Sequence, residues 1–156
     1  MPISNKTGIV RNDEISLAIG VPDVPGVPDE VKGLTIAGWA EGVYLTFSQV
    51  DDAVSDKQGV TGELAIAISN LNRFEVNITV LQTSTDNLAL SRLYQGTIKS
   101  GLVYPVTFRD DSGQTVMAGT SGFFKKFADF GYAKDPENRT WTMTIGHMDG
   151  VLGGNA

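Results

Sequence analysis

The chain has 156 residues, 41% of them hydrophobic and 19% charged, with one histidine, no cysteine and a formal net charge of −6. That length and balance predict one globular domain, and the lack of cysteine excludes disulfide frameworks, thiolate metal sites and cysteine nucleophiles. An acidic surface argues against ordinary nucleic-acid binding, which needs Lys and Arg to displace counterions from phosphate, but not against a surface that nucleic acid slides past without adhering.

The opening "MPISNKTGIVRNDEI" has no continuous apolar stretch of the kind a secretory signal carries. No run approaches the roughly 20 apolar residues of a membrane helix, so the sequence predicts a soluble, cytoplasmically made protein with no membrane partner. Residues 1–32 read as an N-terminal extension, with "ISLAI" (15–19) as a short strand. Residues 20–31 hold three of the six prolines. Proline fixes φ and removes a donor, so this segment is an arm or loop, not a central strand. Val24 and Val27, set between its prolines, suit either a contact with a neighbouring chain or a surface loop of their own domain.

Residues 33–50 predict a strand, a Gly-marked bend and a second strand in which Val43, Leu45 and Phe47 face opposite to Tyr44, Thr46 and Ser48. The stretch 51–59, with Asp51, Asp52, Asp56 and Lys57, reads as the protruding acidic loop of a long hairpin that returns over 60–68. In that return strand Leu64, Ile66 and Ile68 oppose Thr61, Glu63, Ala65 and Ala67. The run 73–82 alternates Phe74, Val76, Ile78 and Val80 with Arg73, Glu75, Asn77 and Thr79, as in an antiparallel sheet wet on one side.

"TSTDNLALSRLYQG" (83–96) breaks the rhythm. Ser84 suits an N-cap, Asp86 favours the helix dipole, and Leu90, Leu93 and Tyr94 form one apolar stripe. Gly96 reads as the stop, giving a helix at about 84–95 that plugs a sheet by packing through that stripe. Beyond it, 102–108, 114–119, 121–134 and 139–149 predict strands. Turns fall at 109–113 and 135–138, and a bulge between Phe127 and Phe130.

Little in the chain can do chemistry. His147 ends a strand and has no sequence neighbour to position it as a base. Asp52, Asp56 and Glu63 fall at positions one, five and twelve of a calcium loop, but Val54 and Lys57 stand where an oxygen ligand and a glycine belong. "AGTSG" (118–122) lacks the lysine of a phosphate loop, and Lys125–Lys126 reads as a solvated face. The sequence predicts no catalytic residue, cofactor or metal, hence no enzyme.

The emphasis falls instead on small hydroxyls, amides and carboxylates along the strands' second face: Thr46, Ser48, Thr61, Glu63, Glu75, Asn77 and Thr79. If the sheet closes into a ring with its copies, such residues face a wide, wet lumen that repels phosphate.

The run Thr79-Val80-Leu81-Gln82-Thr83-Ser84, followed by Asn87, Leu90-Ser91 and Leu93-Tyr94, resembles a stretch of the tail tube proteins of contractile-tailed bacteriophages. "FFKKFADFGYAK", the Trp-bearing "WTMTIGHMDGVLGG" and the hairpin at 42–69 extend the likeness over roughly residues 33–154. The resemblance implies two packed antiparallel sheets, a β-sandwich or barrel-like tail-tube fold shared with type VI secretion tubes, with one flanking helix. It implies hexameric rings that stack into the inner tube of a virion tail, assembled in the host bacterial cytoplasm, through which DNA is delivered. The implied partners are sister copies, the tail sheath protein, baseplate and tail terminator proteins, and, in the lumen, the tape measure protein and genomic DNA bound without sequence specificity. Asp51, Asp52, Asp56, Lys57, Val24, Val27 and Leu152 are the candidates for contacts between subunits or rings. Two other readings stay open: a tailocin or secretion tube, and a monomeric β-sandwich binding or adhesive module that uses Trp39, Tyr44 and Tyr132.

Overall fold

Alternation becomes sheet wherever an apolar face finds an interior. The computed structural model of the chain describes residues 15–22, 25, 27, 33–37, 39–40, 44–111 and 114–153. In chain order the elements are β1 (Ile15–Ile19), β2 (Leu34–Thr35), β3 (Leu45–Gln49), β4 (Val54–Gln58), β5 (Leu64–Ile68), β6 (Phe74–Leu81), α1 (Asp86–Ser100), β7 (Tyr104–Asp110), β8 (Thr115–Phe124) and β9 (Asn138–Val151). As the alternation predicts, the fold is mainly β, with a large antiparallel sheet, a second small sheet and one helix. The division between sheets is unequal: seven strands run β2-β1-β7-β8-β9-β6-β3, and β4-β5 stands apart as a two-stranded hairpin.

The large sheet curls. Its third-from-edge strand β7 carries Phe108, whose ring centroid lies 4.9 Å from that of Phe47 on the opposite marginal strand β3. Residues 34–37 and 39–40 strap the two margins together. The Ile36 amide donates to the Leu17 carbonyl at 3.1 Å, Trp39 bridges to Val80, and the Ala40 amide donates to the Thr79 carbonyl at 3.2 Å. Inside lie Leu17, Val76, Ile78, Phe124, Met143 and Ile145, all essentially inaccessible to water. Gly122 sits where strands and side chains converge: a Cβ there would stand 2.6 Å from Met143 Cε and 2.8 Å from Val106 Cγ2. Next to it the β7–β8 register shifts between Tyr104 and Val106, and Ser121 takes φ 60°, a bulge that tightens the curl.

That bulge is earlier than the sequence predicts, and the strand expected over 121–134 ends at Phe124. The apolar residues after it change face because they serve the helix, not the sheet. The Phe127 ring lies 4.5 Å from Tyr94 and 6.3 Å from Trp141, and Ala128 is buried. The stretch 51–59 also differs from the expected loop. Val54–Gln58 is a strand paired with Leu64–Ile68, and the turn lies beyond it, at residues 59–63.

The helix spans Asp86–Ser100, longer than predicted. Ser84 does not occupy the cap position itself, which Thr85 holds without a side-chain bond, but its hydroxyl accepts the Asp86 amide at 3.2 Å. Gly96 is not the stop; it is buried inside the helix. The stop is Gly101, at φ 66°, whose left-handed backbone suits glycine and lets the chain return amides to the Gly96 and Thr97 carbonyls. Leu90 and Leu93 reach the core, and Tyr94 packs half-buried beside them. The Tyr104 hydroxyl donates to the Leu93 carbonyl at 2.8 Å.

Burial raises the Tyr104 pKa above its ordinary value, against a smaller lowering by the Thr97 hydroxyl. The unfolded chain therefore gives up this proton first. Above about pH 10 it binds fewer protons than the folded chain, so stability falls with rising pH. Tyr104→Phe is expected to remove that alkaline loss while costing about 1 kcal/mol at neutral pH for the missing hydrogen bond. Urea titrations at pH 7 and pH 11 check it; an unchanged alkaline slope would assign the loss to other groups.

Candidate assembly surfaces

Register places the predicted polar face. Thr46 pairs with Asn77 and Asn77 with Thr142; Ser48 pairs with Glu75 and Glu75 with Thr144; Thr79 pairs with Thr140. Directly paired residues share a face, so Thr46, Ser48, Glu75, Asn77 and Thr79 form one band across β3, β6 and β9, on the side away from the core. Hydrogen bonds tie the band: Thr142 Oγ1 donates to Asn77 Oδ1 at 2.9 Å, and the Thr79 and Thr140 hydroxyls meet at 3.0 Å. Thr61 and Glu63 are not part of it. They lie at the turn of the β4–β5 hairpin, because 60–63 reverses the chain there. Thr140 and Thr142 belong to the band in their place, a membership only the β6–β9 register reveals.

The hairpin is the most unusual surface. All ten of its strand residues are exposed, large apolar ones among them: Leu64 is 62% exposed, Ile66 60% and Ile68 80%. Pairing aligns Val54 with Ile68, Asp56 with Ile66 and Gln58 with Leu64. One face is therefore Val54, Leu64, Ile66 and Ile68 with the single carboxylate of Asp56 and the amide of Gln58. Lys57 and Ala65 lie on the other face. At the hairpin's base Asp51 pairs with Arg73 at 3.1 Å, and Asp52 is exposed beside it.

Beside that base, the curled sheet opens in an apolar mouth of about 540 Å³, lined among others by Phe47, Phe74, Phe108, Met117 and Leu152. Leu152 is thus at the hairpin end of the molecule. Val27, by contrast, packs half-buried against its own chain's core. Val24, like Val43, lies outside the described residues.

The other end of the molecule carries a groove of about 330 Å³ between α1 and β9, lined by Ser91, Phe127, Phe130, Tyr132, Arg139 and Trp141. Arg139 Nε is shielded from water and has no hydrogen-bond partner. Sequence reasoning passed over Arg139, whose place at the start of a strand carries no signal of its own. Tyr132 lies in this groove, whereas Trp39 packs against Tyr44, their ring centroids 5.0 Å apart and their planes tilted by 41°. The aromatics that would serve a binding face thus fall into two groups.

At the helix start, Asp86 Oδ2 accepts the Ala37 amide at 3.0 Å, tying the strap. Asn87 Nδ2 donates to the carbonyls of Leu81, Gln82 and Ser84, and its Oδ1 accepts the Trp141 indole at 3.1 Å. His147 is exposed, with Nδ1 3.2 Å from Asn72 Oδ1. Among the described residues no three His, Cys, Asp or Glu side chains gather as a metal site would require.

No protein-family model matches the chain, and no curated protein matches it. Function must therefore be argued from these surfaces: a polar band, a naked apolar hairpin, a mouth and an aromatic groove.

Proposed function

We propose that the chain is a tail tube protein, a structural subunit that forms hexameric rings stacked into the inner tube of a contractile phage tail, through which DNA is delivered. Sister copies are its main partners. The sheath protein surrounds it, baseplate and terminator proteins close its ends, and the tape measure protein and genome occupy its lumen without sequence-specific binding. The observation that carries this reading is the β4–β5 hairpin. Two strands alone in water are marginal, and an apolar face this exposed is the signature of a surface meant to be covered. A sister molecule is the covering the protein always has at hand.

Two further features support the reading. Strand β3 lies at the margin of the large sheet, an edge that a neighbouring copy extends. The band of Thr46, Ser48, Asn77, Thr79, Thr140 and Thr142, with Glu75 as its carboxylate, suits a hydrated, weakly negative channel wall that phosphate passes without sticking. The helix needs no catalytic group on this view, since it fastens the turn, the strap and the last strand together.

Negative-stain microscopy of the purified protein at high concentration, with and without a nucleating baseplate, tests the proposal. Rings or hollow tubes are expected. A strictly monomeric species under both conditions would reject it and favour the binding-module reading.

A further inference from the structure

We infer that the aromatic groove between α1 and β9 receives the β4–β5 hairpin of the next copy, with Asp56 meeting Arg139. The inference rests on the assembly reading above and adds to it the receiving surface and the polarity of stacking.

The two surfaces lie at opposite ends of the same strands. The hairpin springs from the end of β6 that begins at Phe74, where Phe74 pairs with Ile145. The groove lies at the end where Val80 pairs with Arg139 and Leu81 with Asn138. Eight residues of β6 separate the two by about 25 Å. A hairpin that leaves one end and a groove that opens at the other meet when copies are placed head to tail. Because the two surfaces differ, the contact is heterologous and propagates as an open filament.

Their chemistry is complementary. The hairpin offers a largely apolar face with one carboxylate at its centre, Asp56 among Val54, Leu64, Ile66 and Ile68, with Gln58 at its turn end. The groove offers Phe127, Phe130 and Tyr132, exposed by 43%, 70% and 79%, beside one guanidinium whose Nε has no acceptor. The Nε is shielded by its own chain, so a docking carboxylate would meet the outer nitrogens of this guanidinium, a charge-assisted contact. The acids already near the groove, Asp129 and Glu137, line a neighbouring pocket with Arg139, yet leave its Nε unbonded. The hairpin as a whole is acidic, with Asp52, Asp56 and Glu63 against Lys57, while Lys125 and Lys126 lead into the groove segment.

The absence of cysteine makes the test clean. Ile66→Cys and Phe130→Cys, both at exposed positions, are placed in one chain, which is assembled and then oxidised. A ladder of covalent dimers, trimers and longer species on a denaturing gel is expected, whereas a mixture of the two single variants stops at dimers. Asp56→Lys added to the double-cysteine chain should reduce the ladder at least tenfold, and Arg139→Glu added to that should restore it. Tubes visible by microscopy without any ladder would overturn the groove as receiver while leaving assembly standing. Dimers of the Ile66→Cys chain alone would reveal a two-fold hairpin contact and overturn the polarity. A ladder indifferent to Asp56→Lys would overturn the ion pair. Monomers in every arm would reject the assembly reading itself.

Discussion

Replacing Leu64, Ile66 and Ile68 together with threonine is expected to abolish assembly while leaving the folded body intact. Threonine keeps β propensity, and all three side chains are already largely in water. Their loss should shift monomer stability by no more than about 0.5 kcal/mol each, as for other surface positions. In a sister contact the same side chains are worth roughly 1.5–3 kcal/mol apiece when fully buried. Scaled to the exposed portion, the contact loses about 3–6 kcal/mol, which raises the concentration needed for assembly by a factor of roughly 10² to 10⁴. Thermal melting followed by circular dichroism measures the first quantity, and sedimentation of polymer against total protein measures the second. Tubes at an unchanged critical concentration would show that the hairpin is not what binds the copies. A melting point lowered by many degrees would show that it is part of the monomer's own core.

How far such surfaces can be read from sequence depends on whether the signal is local. The apolar faces of β1, β6 and β9 are legible because period-two alternation over Ile15–Ile19, Phe74–Leu81 and Asn138–Val151 is a property of each segment alone. The helix is legible through Leu90 and Leu93, but its end is not. Gly96 and Gly101 are equivalent as letters. Packing decides that the first is buried within the helix and the second takes the left-handed turn. Thr61 and Glu63 look like a continuation of the band because they precede a strand in the right phase. Only the β4–β5 register shows that this strand left the large sheet. The strap of Ile36, Trp39 and Ala40 was equally hidden, since its value lies in joining Leu17 to Thr79 and Val80 across the chain. Arg139 and the groove depend on residues 125–137, where alternation fails because the side chains answer to α1 instead of to a neighbouring strand.

The stretch around the helix start shows what a polar motif can mean without chemistry, and Asn87→Ala tests it. Asn87 is buried, its two N–H groups shared among three backbone carbonyls and its Oδ1 accepting one indole N–H. Leu81 ends β6, Gln82 and Ser84 lie in the connection that follows, Trp141 in β9 and Asn87 itself in α1. Alanine leaves the Trp141 Nε1–H without its acceptor and takes the side-chain donor from the Gln82 carbonyl, while the Leu81 and Ser84 carbonyls keep the Ser84 and Asn87 backbone amides. At about 1–3 kcal/mol per stranded group, the expected loss is roughly 3–5 kcal/mol. That is a large part of a typical domain's 5–15 kcal/mol and a fall in melting temperature of roughly 6–20 °C. Asn87→Asp separates the parts of the network. It keeps an acceptor for the indole, strips both donors from the carbonyls and buries a charge. The introduced carboxyl's pKa is therefore raised by burial. A raised folded-state pKa means that the variant is stabilised by protonation, so it should recover stability as pH falls toward 5 and lose it again as pH rises through 7. The alanine variant should show no such recovery. Guanidinium titrations followed by tryptophan fluorescence distinguish the three chains; an alanine variant within 1 kcal/mol of the parent would mean that the carbonyls find other donors and that the amide is not the joint between strand, turn and helix.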